Sequence, residues 1–65
     1  MKQIVTTPNE MNASLIKGFL ENLGIKASYA PNAGKHGQVA ACTVYCDEEK
    51  WEEALKLLKE QGLIG

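Results

Sequence analysis

At 65 residues and a formal net charge of −1, the chain is one small domain, near the lower limit at which an apolar core offsets chain entropy unaided. Its cations are seven lysines and no arginine, so both the basic surplus and the guanidinium fork suited to phosphate backbones are missing, which excludes a nucleic-acid partner. No apolar run reaches signal-peptide or transmembrane length, and the reading is a soluble cytoplasmic protein with reduced thiols and no membrane contact.

"QIVTT" is a short β-rich run. It is followed by Thr7-Pro8-Asn9-Glu10, which has the form of a capping box with proline at the first helical position. From Ala13, residues Ile16, Phe19, Leu20 and Leu23 recur at spacings of three and four and predict one buried helical stripe, with Gly24 as its stop. Met11 and Leu15 fall off that stripe. "IKASYA" alternates Ile25, Ala27 and Tyr29 with Lys26, Ser28 and Ala30 as a half-buried strand does, and Pro31 and Asn32 close it. After a loop at Pro31 to Gly37, "QVAACTVY" is uncharged and apolar on both faces except at Thr43, the pattern of a central strand. Asp47 is a good N-cap for a last helix that buries Trp51, Ala54, Leu55 and Leu58 and ends at Gly62. "LIG" is either a frayed tail or the stub of a fourth strand.

The order β-α-β-β-α predicts an α+β fold: a ferredoxin-like two-layer sandwich with a three-stranded antiparallel sheet and two helices on one face, the third strand lying between the first two. The other sheet face then carries Val39, Ala41, Thr43 and Tyr45 with Ser28 and Ala30, and nothing in the monomer covers it. Pairing that face with a second copy would bury the surface a short chain lacks, so a homodimer or other protein partner is expected there.

Little in the chain looks like chemistry. In an extended strand Cys42 and Cys46 point the same way but sit about 13 Å apart, at ~3.3 Å per residue, so they neither bond to each other nor share a metal. They read as buried structural thiols on the helix side, Cys46 being the more exposed. His36 is about 20 Å from Cys42 if extended, which removes a shared metal site or a catalytic pair within one chain. A metal site built from two His36 loops across a dimer is a weaker idea. Gly34, Lys35, His36 and Gly37 form a weakly basic loop that offers backbone N–H groups to a small-molecule ligand, and Thr7 and Asn9 at a helix start are a second anion-binding candidate. No catalytic residues and no cofactor are expected. Gly18 lies on the exposed side of the first helix, where it costs about 1 kcal/mol relative to alanine.

"TTPNEMNASLIKGFLENLGIKA" with the closing "CDEEKWEEALKLLKE" resembles a small bacterial family described as putative prokaryotic signal-transducing proteins. The matching positions are Leu15, Ile16, Lys17, Gly18, Leu20, Glu21, Gly24 and Ile25, and the likeness covers most of the chain outside the loop. It implies a ferredoxin-like fold akin to the nitrogen-regulatory PII proteins, and a regulatory role. A second resemblance is to small sulfur- or selenium-carrier-like proteins of the same element order, whose cysteine stands just before the third strand, where this chain has His36-Gly37-Gln38. The function expected is a non-enzymatic regulatory or protein-interaction module. The alternative is a thiol-based sulfur carrier or redox protein using Cys46 or Cys42.

Overall fold

The structure is a computed structural model that describes residues 1–33 and 39–64. Three strands, β1 (Lys2–Thr7), β2 (Ala27–Ala33) and β3 (Val39–Cys46), form one sheet in the order β1-β3-β2, with β3 antiparallel to both neighbours. Helices α1 (Glu10–Asn22) and α2 (Trp51–Glu60) cover one face, giving the α+β ferredoxin-like sandwich expected. The core lies between the layers: Ala13, Ile16 and Leu20 from α1 and Ala54 and Leu58 from α2 meet Cys42, Val44 and Cys46 of β3. Those three β3 residues alternate along the strand, so one face of the central strand is buried throughout. β1 contributes through a bulge between Gln3 and Val5, which leaves Ile4 without a β3 partner, and both Ile4 and Val5 pack against the core.

Helix α1 starts two residues later than the capping box predicts. Asn9, not Thr7, is the N-cap: its backbone is extended and its side-chain oxygen accepts from the Asn12 N–H at 2.8 Å. Thr7 is instead the last residue of β1, opposite Cys42, and its buried hydroxyl is turned inward. Both helices end in the same Schellman turn. Gly24 at φ +80° donates to the Glu21 carbonyl and Ile25 to that of Leu20, while Gly62 at φ +71° donates to Lys59 and Leu63 to Leu58. Here Leu23 departs from expectation. It is the C-cap and stays 49% exposed, and Ile25, brought back over Leu20 by the turn, fills the core in its place.

β2 runs through Pro31 and Asn32, which were expected to close it. An edge strand tolerates a residue without an N–H, and Pro31 stays in register opposite Cys42. β3 continues one residue past Tyr45, to Cys46. Asp47 caps as expected but holds a 3₁₀ turn, Glu48–Lys50, by accepting from the Glu49 N–H at 3.1 Å, and α2 proper follows from Trp51. Trp51 is half-buried at the β1 edge rather than central: its Nε1–H donates to the Gln3 carbonyl at 2.9 Å, and the Lys2 ammonium lies 4.1 Å from the ring centroid. Among the described residues there is no fourth strand; Leu63 and Ile64 fold back and pack on the core.

Candidate functional site

The loop residues Gly34, Lys35, His36 and Gly37 lie outside the described residues. The second anion candidate is in view: Thr7 and Asn9 come together at the start of α1. The Thr7 hydroxyl and Asn9 Oδ1 both bond within the chain. The Thr7 hydroxyl is directed at the carbonyls of Asn9 (2.8 Å) and Cys42 (3.3 Å), and Asn9 Oδ1 caps Asn12.

On the sheet face away from the helices, Ala41, Thr43 and Tyr45 line up along β3 beside Ser28, Ala30 and Asn32 of β2, and Val39 pairs with Ala33 at the far end. This face is a hydrogen-bonded layer rather than an apolar patch. The Asn32 amide meets the Thr43 hydroxyl through Nδ2 at 3.0 Å and Oδ1 at 3.2 Å; Thr43 lies 3.5 Å from the Thr6 hydroxyl, which accepts from Gln3 Nε2 at 3.3 Å. The ladder crosses all three strands and keeps Thr43 satisfied at 4% exposure.

Cys42 and Cys46 are free and both fully buried on the helix side, so Cys46 is not the more exposed of the two. Burial, reinforced by the neighbouring Asp47 carboxylate, pushes the Cys46 thiol above its ordinary value against the opposing pull of Lys2 and the N-terminus. A raised pKa disfavours the thiolate, the nucleophilic form. Among the described residues, no group of three or more metal-ligating side chains gathers.

Among the described residues, the large exposed hydrophobics gather mainly on the outward side of α1. Met11, Leu15, Phe19 and Leu23 follow one another at spacings of four along α1, forming a single ridge. Met11 is 80% exposed and Leu15 60%, while Phe19 is half-buried. A depression lies on each side of the ridge's first half. One, of about 320 Å³, separates it from the end of β1 and the tail at Leu63–Ile64; the other, more open and about 640 Å³, separates it from Tyr29, whose hydroxyl donates to Glu10 Oε1 at 3.2 Å. Asn12 and Leu15 line both. On α2 the corresponding outward positions, Glu52, Glu53, Lys56, Lys59 and Glu60, are all charged and exposed. The i, i+4 spacing of Met11 and Leu15, off the core stripe, was the signal available in the sequence.

In comparisons with known proteins, the family model described as "Putative prokaryotic signal transducing protein" matches residues 1–62. No curated protein and no solved structure matches.

Proposed function

The chain belongs to the family described as putative prokaryotic signal transducing proteins, and we propose that this domain works as a small, non-catalytic regulatory module that binds a protein partner. The observation that carries this reading is the outward face of α1. A ridge with Met11 and Leu15 largely in water does nothing for the monomer's core, and fully burying an apolar side chain of that size is worth about 1.5–3 kcal/mol. The depressions on either side give an incoming chain places to seat its own side chains. The family description supports a role in passing a signal, which requires a partner. We place the module in the cytoplasm; the free thiols are in keeping with a reducing compartment, and no described helix is long and apolar enough to cross a membrane.

A photo-crosslinking amino acid placed at position 15, with position 56 on the charged face of α2 as the reference, tests this in cells. Protein adducts of discrete mass at position 15 and none at 56 are expected. Absence of any protein adduct at 15, or equal labelling at both positions, would overturn the reading.

A further inference from the structure

We propose that Met11 is a redox-sensitive site on the partner-binding face of α1, where a hydroperoxide converts its thioether to the sulfoxide and weakens binding until a sulfoxide reductase restores it. The proposal rests on the partner-binding reading above and adds its regulation.

The sulfur of the chain lies in two cysteines and two methionines, and the fold sorts them by access. Cys42 and Cys46 are enclosed between the sheet and the helices at 0% exposure, and the raised pKa of Cys46 keeps its nucleophilic thiolate scarce. Both thiols are therefore poor targets for an oxidant in solution. The methionines stand in water, Met1 at 66% exposure and Met11 at 80%. Met1 Sδ accepts from the Ser28 hydroxyl at 3.3 Å, which engages a lone pair that an oxidant would need, and it lies beside Lys26 and Asp47, away from the ridge.

Position gives oxidation at Met11 its consequence. Met11 opens the ridge and, with Leu15 and Tyr29, lines the larger of the two depressions beside it. Leu15, Phe19 and Leu23 offer a peroxide nothing to attack, so oxidation of the ridge is oxidation of Met11. A sulfur lone pair attacks one peroxide oxygen and the O–O bond breaks. The other oxygen leaves with the proton, as water or an alcohol; the sulfur loses two electrons and the peroxide gains them. A polar, chiral side chain then stands where a flexible apolar one stood, and sulfoxide reductases reverse the change with electrons from thiols. In the free protein, water solvates the new oxygen and the fold is indifferent to it. A partner seated on the ridge strips that water away against Leu15, and a buried polar group left without a hydrogen bond lowers affinity about tenfold.

Hydrogen peroxide treatment of the purified chain, followed by intact mass and peptide mapping, tests the chemistry. Met11 should gain oxygen before Met1, with both thiols unmodified and far-UV circular dichroism unchanged. Oxidation first at Met1 or a cysteine, or loss of helix on oxidation of Met11, overturns the proposal. The chain with the photo-crosslinker at position 15 is then added to cell lysate in three states: untreated, oxidised and freed of peroxide, and oxidised then reduced by methionine sulfoxide reductase. The yield of the discrete adduct should fall about tenfold on oxidation and return on reduction. Met11→Leu, compared with itself before and after peroxide, should show no such fall. An adduct that survives oxidation of Met11, or a loss that Met11→Leu shares, overturns the proposal and leaves the partner-binding reading standing. Absence of any adduct from the untreated chain overturns both.

Discussion

Two glycines six residues apart, one inside α1 and one just past its end, should respond in opposite directions to the same substitution. Gly18 is inside α1 with helical neighbours on both sides, and a Cβ there meets nothing within 4 Å. Alanine at this position removes the entropic cost of an interior glycine without introducing a clash and should stabilise the fold by about 1 kcal/mol. At Gly24 the added Cβ also meets open space, but φ is +80°, where an L side chain crowds its own backbone. Alanine there should cost about 1–2 kcal/mol. Unfolding entropy near 2.1 cal/mol/K per residue converts these into shifts of roughly +7 °C for Gly18→Ala and −7 to −15 °C for Gly24→Ala. Against a total stability of roughly 3–10 kcal/mol for a chain of this size, both effects are large. Thermal and urea unfolding followed by circular dichroism measures them, with unchanged urea slopes showing that the two states are the same. A neutral or destabilising Gly18→Ala would refute the open, helical environment assigned to that position. A neutral Gly24→Ala would refute the Schellman turn.

The raised Cys46 pKa makes stability depend on pH with a definite sign. A thiol that ionises less readily in the folded state contributes stability that is fully present below the unfolded pKa and is lost as pH rises through the folded one. The stability difference between the parent and Cys46→Ala should therefore shrink from pH 7 to pH 10 in urea titrations; a constant difference removes the argument. Replacing the α1 cap, Asn9→Ala, should cost about 1 kcal/mol in the same assay, and Asn9→Asp should recover most of it. Equal losses in both variants would mean that Asn9 does not cap.

Where local pattern and tertiary role agree, the residues can be read directly. The uncharged run ending at Cys46 marks the central strand because only a strand flanked on both sides and covered by helices has no use for charge. Gly24 and Gly62 mark helix ends because each must take a positive φ. The discrepancies have one cause, the sheet's claim on residues that local rules assign elsewhere. Thr7 and Asn9 both satisfy cap chemistry, and only the pairing of Thr7 with Cys42 decides between them. Pro31 is a strand breaker except at an edge, and being at the edge is a property of strand order, not of the dipeptide. The polar ladder from Gln3 to Asn32 depends on the register that sets Thr6 and Ala30 opposite Thr43, and no local pattern in the sequence carries that register. The α1 ridge is half legible in the sequence, since Met11 and Leu15 fall outside the core stripe while Phe19 and Leu23 share its spacing.

The way the two outer strands are finished governs whether another strand can add to the sheet. A sheet open at both ends risks adding strand to strand without limit. Along β1, the bulge breaks the regular spacing, the Trp51 indole already occupies the Gln3 carbonyl, and the Lys2 ammonium stands over that ring. Along β2, Pro31 has no N–H to offer a newcomer in the middle of the strand. Both borders are thus poor templates for a further strand. An exposed apolar ridge on α1 can therefore face solvent without the sheet beside it seeding fibres.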